Sequence, residues 1–160
     1  MDNELTVEFE NKFKLFKNDV GLKSSFKKLD GGFLLKDSIL EEGFVGEDVS
    51  RTLSRRIVDV YTYWANNIHG LILPNPGSII SITQHDMFDE SERNEMSILL
   101  NKMLALTSRN SVLSLTRDKK EEAKFIDDSL KFWTKELSPK MKVIYNKISV
   151  SWEKKANQKY

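Results

Sequence analysis

The stretch DVSRTLSRRIVDVYTYWANNI (residues 48–68), with LILPNPGSIISIT (residues 71–83) after it, decides how this chain is read. In the first part Val49, Leu53, Ile57, Val60, Tyr61, Trp64 and Ile68 fall within roughly 120° of arc at ~100° per residue, so a core-facing amphipathic helix is expected. Its other side presents Asp48, Arg51, Arg55 and Asp59, spaced for i,i+3 and i,i+4 ion pairs. In the second part the period changes. Leu71-Ile-Leu73 and Ser78-Ile-Ile-Ser-Ile-Thr83 are short β-branched runs on either side of Pro74-Asn-Pro-Gly77, which predicts two strands and a tight loop.

Upstream, Leu5, Phe9, Phe13, Phe16 and Val20 recur every three or four residues and predict a helix over residues 4–18. Asp30-Gly31-Gly32 either turns a small hairpin or connects two helices, and a short helix is expected near 36–43 with Ile39 and Leu40 inward. Downstream, Asp89-Glu-Ser-Glu92 has the form of a capping box. The helix it opens carries Met96, Leu99, Leu100, Met103 and Leu104 and is expected to end near Thr107-Ser108. Residues 110–116 are ambiguous between strand and helical connection, and Asp118 with Glu121 makes a second plausible box.

Ala123, Ile126, Leu130, Trp133 and Leu137 then form a coiled-coil-like seam. Ser138-Pro139 supplies an N-cap and a proline at a first helical position, so a new helix with Met141, Ile144, Tyr145, Ile148 and Trp152 inward should fold back antiparallel. The expected fold class is mainly α: a single domain over residues 1–153, of about five to six helices, with a small β-hairpin and a C-terminal antiparallel helix pair. Residues 154–160 read as a polar basic tail.

The chain has 160 residues, 25 Lys+Arg, 24 Asp+Glu and no cysteine, with a net charge of +1. That is one domain's length, with a globular composition. Without cysteine there is no disulfide, no Cys-ligated metal and no thiol nucleophile. The acidic start and the lack of any long apolar run suggest an intracellular, cytoplasmic protein with no membrane contact. The near-neutral charge hides an asymmetry. Residues 1–117 carry 14 basic and 17 acidic side chains, whereas 138–160 carry six lysines against Glu153 alone. A basic end of this kind can attract nucleic acid or an acidic partner.

Two surfaces invite a functional reading. Phe125 and Phe132, seven residues apart, lie opposite the Ile126/Leu130/Trp133 seam, so this helix is apolar on two sides. Either it is sandwiched within the domain or the second stripe binds a partner, a protein or a second copy. Lys140, Lys147 and Lys154 repeat every seven residues, as lysines do when they lay their stems along a core edge or contact phosphates.

Asp48-Val-Ser-Arg-Thr-Leu-Ser-Arg-Arg-Ile57 resembles the recognition helix of helix-turn-helix proteins. With the expected strand, loop and strand after it, residues 36–90 are similar to a winged-helix domain of the MarR-like regulators. The resemblance implies that Arg51, Thr52, Arg55 and Arg56 enter the DNA major groove, with Lys140 and Lys147 as further nucleic-acid contacts. The candidate wing, Leu73 to Gly77, carries no Lys or Arg.

His69 and His85-Asp86 prompt a third class, an HD-like metal-dependent hydrolase, but their spacing spans two prolines and no distal ligand is marked. Phosphate-binding, dinucleotide and nucleophile-elbow motifs are absent, and Asp127-Asp128 point about 100° apart on a helix. The leading expectation is a non-catalytic regulatory or adaptor protein without cofactor. It would act through protein contacts, as an oligomer, with Phe125 and Phe132 as candidate contacts. The winged-helix regulator is the alternative.

Overall fold

The computed structural model describes residues 2–158, and these are all helix and connecting loop, with no strand among them. Helix α1 (Asp2–Val20) follows its phenylalanine repeat: Phe9 and Phe13 are buried, and Phe26 meets both edge-on at 5.8 and 5.5 Å. Helices α2 (Phe26–Phe33) and α3 (Leu35–Glu42) meet at Leu34, which takes a left-handed conformation with φ 52°. Asp30-Gly31-Gly32 lies inside α2 and makes no hairpin. Asp30 Oδ1 instead accepts from the amide of Lys36, one of the free N–H groups that open α3. Ile39 points inward as expected, whereas Leu40 is exposed.

Helix α4 (Val49–Ile72) is the hub on which the other elements pack, most extensively α6. It runs through Leu71-Ile72, the first expected strand. The second, residues 78–83, opens helix α5 (Ile79–His85). The winged-helix-like hairpin is therefore absent, and local polar groups explain why. Ser78 Oγ accepts from the Ser81 amide, Ser81 Oγ from the Asn75 amide, and Asn75 Oδ1 from the Gly77 amide. These caps and turns satisfy the backbone without a ladder, and β-branched residues favour a strand only where a partner strand exists.

Helix α6 (Glu90–Thr116) keeps the capping box between Asp89 and Glu92 and continues well past Ser108 to Arg117, a left-handed C-cap. It runs antiparallel to α4, since Arg51 near the start of α4 reaches Asn110 and Ser114 near the end of α6. Helix α7 (Lys119–Phe132), capped by Asp118, runs parallel to α4: Ser50 meets Glu122, and Tyr61 Oη donates to Ser129 O at 2.5 Å.

The expected antiparallel C-terminal pair is also absent. Residues Phe132, Trp133, Leu137 and Ser138 all stay right-handed helical, so α7 continues through a π-helical turn (Trp133–Leu137) into α8 (Ser138–Ala156). Pro139 gives the reason. It has no amide to donate, and its ring would strike a carbonyl one turn back. The preceding turn widens, with the Ser138 amide bonding Trp133 O five residues back, and the helix passes the proline without breaking.

Counting α7 and α8 as one run, seven helices make up the described residues, where five to six and a hairpin were expected. The segment expected as a tail starts inside α8, and Lys159 and Tyr160 lie outside the described residues. No described helix is long and apolar enough to cross a membrane.

Candidate functional site

Of the residues that suggested a DNA-reading face, Arg51, Thr52 and Arg56 are half-buried and bonded within the helix assembly. Asp48 caps α4 by accepting from the Arg51 amide at 3.1 Å. The Arg51 side chain turns inward, with Nη1 3.2 Å from Asn110 Oδ1 and 3.4 Å from Glu122 Oε1, and Nη2 2.5 Å from Ser114 Oγ. Glu122 is completely buried, and the Ser50 hydroxyl donates to its carboxylate. Lys119 Nζ completes the cluster at 2.6 Å from Asp48 Oδ2, 2.8 Å from Ser50 Oγ and 3.2 Å from Glu122 Oε2. Burial pushes the Asp48 carboxyl upward, but hydrogen bonds from Lys119 and the Arg51 amide help to outweigh it and hold the group below its ordinary range.

This cluster ties the start of α4, the end of α6 and the start of α7 together. A buried charge pair left with one partner is costly, so these residues are held in place by one another. Thr52 Oγ1 donates to Asp48 O, and Arg56 Nε donates to Phe33 O at 2.7 Å. Arg55 alone of the four points to solvent. The structure does not bring Arg51, Thr52, Arg55 and Arg56 to one open surface, and the recognition-helix assignment is corrected accordingly.

Lys147 is engaged as well. Its Nζ lies 2.6 and 2.7 Å from the two Glu92 oxygens and 5.1 Å from the centre of the Phe88 ring. The Lys147 hydrogen bond and the Asp89 amide hold Glu92 below the usual carboxylate range. Lys140 is exposed at the rim of a groove of about 310 Å³ between the start of α6 and α8, floored by Met96, Leu99 and Ile144.

Phe125 and Phe132 are both buried within the one chain, Phe132 at 5.9 Å from Tyr61. Of the two readings of the two-sided helix, the sandwiched one holds, and neither ring offers a partner contact. His69 is exposed, and His85 Nδ1 sits 2.8 Å from Leu71 O. Among the described residues no three His, Cys, Asp or Glu converge to hold a metal ion. Asp127 and Asp128 diverge as expected. Asp127 accepts from the amides of Lys23 and Ser24, pinning the α1–α2 loop, while Asp128 pairs with Arg109 at 2.6 Å.

The helix with an unsatisfied second apolar side is α6. Met96, Leu99, Met103 and Leu113 are buried on its inner face. On the opposite face Asn94, Ile98, Asn101, Leu104, Ala105, Ser108, Ser111, Val112 and Leu115 are all exposed, within about 140° of arc. Ile98 is 55% exposed, Leu104 48%, Val112 58% and Leu115 86%. None of the nine is charged, in a chain in which 31% of residues are. Lys102 and Arg109 edge this face and lean away from it, to Glu136 at 2.5 Å and Asp128 at 2.6 Å. A surface helix ordinarily shows a charged outer face. The sequence signal was the heptad Ile98–Ala105–Val112, which ending the helix at Ser108 conceals.

A smaller apolar area covers α5, where Ile79, Ile80 and Ile82 are exposed beside Leu73. Comparisons with protein-family models, with curated proteins and with solved structures give no match for this chain.

Proposed function

We propose that the chain is a non-catalytic protein-contact module, regulatory or adaptor in role, and that its contact surface is the outward face of α6. The supporting observation is the uncharged strip from Asn94 to Leu115 on a helix whose other side is already packed in the core. Leaving Ile98, Leu104, Val112 and Leu115 in water forgoes a large part of the ~1.5–3 kcal/mol that burial of each such side chain can contribute. Contiguous apolar surface of a few hundred Å² marks interaction sites on soluble domains.

The test is the apparent size of the tagged chain in extracts of the cells that make it. Gel filtration of the wild type is expected to show a species larger than the monomer, and Val112→Glu to return it to monomer size. Unchanged elution of the variant would remove α6 as the contact surface.

A further inference from the structure

We propose that the partner of the α6 face is a second copy of this chain, with its α6 laid antiparallel across a two-fold axis near residues 106–107. The proposal rests on the reading of α6 as a contact face and names what covers it.

The profile of the strip is the first argument. Ile98, Asn101, Ala105, Ser108, Val112 and Leu115 alternate at spacings of three and four, the seam of a two-helix pair. Reversed against itself, the seam forms matching layers. Ile98 meets Leu115 of the other copy at each end, Asn101 meets Val112, and Ala105 meets Ser108 at the centre. Bulky side chains thus close the two ends while small ones let the helices approach closely in the middle. A strip symmetric about its own midpoint suits an isologous contact, in which the same patch serves both copies.

Size and charge agree with this occupant. Residues 98–115 span about 27 Å of helix. Two such strips laid together with their edges bury on the order of 1,000 Å², the lower bound for a specific interface. The seam has no charge to desolvate. At its edge the pair Lys102–Glu136 of one copy comes beside Arg109–Asp128 of the other, so each cation faces a carboxylate from both chains. The seam's polar residues are Asn101 and Ser108, which lie opposite Val112 and Ala105 of the other copy.

Purified protein tests this directly, because the chain has no cysteine of its own. Ala105→Cys and Ser108→Cys are made as separate variants, both at exposed positions. Under mild oxidation the mixture should form the disulfide-linked heterodimer, while each variant alone stays largely unlinked. Like positions are then three residues out of step, ~4.5 Å along the axis, beyond the usual reach of a disulfide. In sedimentation the wild type should dimerise, and Val112→Glu, present twice in the interface, should weaken the dimer by at least ~100-fold. Efficient linking of Ala105→Cys to itself would indicate a parallel pair and overturn the proposal. So would a purified wild type that stays monomeric at about 100 μM, well into the range where weak pairs form. In that second case a Val112-sensitive complex in cell extracts would still support α6 as a surface for a different protein, and its absence there would remove both readings.

Discussion

Arg51 and Glu122 face each other across the junction of three helices, the guanidinium 3.4 Å from a carboxylate that has no solvent exposure. The pairing makes the most suggestive arginine of the sequence a structural residue. Arg51→Ala leaves Glu122 with Lys119 and Ser50 alone, and loss of hydrogen bonds to a charged, buried group costs about 1.5–3 kcal/mol. Urea unfolding should show this loss, and Arg51→Ala/Glu122→Gln should recover part of it. If Arg51→Ala unfolds at the wild-type midpoint, the cluster does not stabilise the fold.

Tyr61 carries a pH prediction. Burial pushes its phenol well above the usual range, outweighing the hydrogen bond to Ser129 O, and burial raises Tyr145 as well. A group whose folded pKa lies above its unfolded value contributes fully below the unfolded pKa. That contribution is lost as pH rises, because unfolding then releases a proton. Stability should therefore decline above about pH 10. Tyr61→Phe should cost about 1 kcal/mol at neutral pH for the lost hydrogen bond and flatten the alkaline decline. Unfolding midpoints measured from pH 8 to 11 would decide it. Equal slopes for the two proteins would contradict the assignment.

Glu92 gives the acid counterpart. Its carboxyl is held low by Lys147 and by the Asp89 amide. Its contribution is present above the unfolded carboxylate pKa and lost as pH falls through the depressed folded value. Glu92→Gln keeps part of the cap but not the charge, so it should be less stable at pH 7 and lose less on acidification. The neutral-pH cost is about 1 kcal/mol, that of weakening a helix cap.

The adjacent glycines of α2 should respond oppositely. A Cβ on Gly31 meets nothing within 4 Å, whereas one on Gly32 would lie 3.1 Å from the Trp133 indole. Gly31→Ala should raise stability by about 0.5–1 kcal/mol through helix propensity alone. Gly32→Ala must displace an indole packed on Phe33, and overpacking of this kind costs about 1–3 kcal/mol. Thermal melts of the two variants should move in opposite directions.

Much of this was legible in the residues. The 3.6-residue repeats of α1, α4, α7 and α8 identify their buried faces, and Asp89 with Glu92 identifies the start of α6. Three features were hidden for physical reasons. Ile79, Ile80 and Ile82 favour a strand in isolation, yet Ser78 and Asn75 satisfy the local backbone and leave no ladder to form. Pro139 reads as a helix start, and a π turn lets one helix run through it. Arg51 reads as surface because its partners, Asn110, Ser114 and Glu122, are 59 to 71 residues away. The uncharged face of α6 was hidden by the expected helix end. Cutting α6 at Ser108 removes Val112 and Leu115 and, with them, the heptad.

Sedimentation velocity of purified wild type and Val112→Glu at about 100 μM bears most directly on the central claim, that the uncharged face of α6 is covered by a second copy of this chain. The wild type should sediment as a dimer and the variant as a monomer. At concentrations low enough for both to be monomeric, their folding stabilities should agree to within about 0.5 kcal/mol, because Val112 is on the surface. A dimer that Val112→Glu leaves intact, or a wild type that sediments only as a monomer, would contradict the claim.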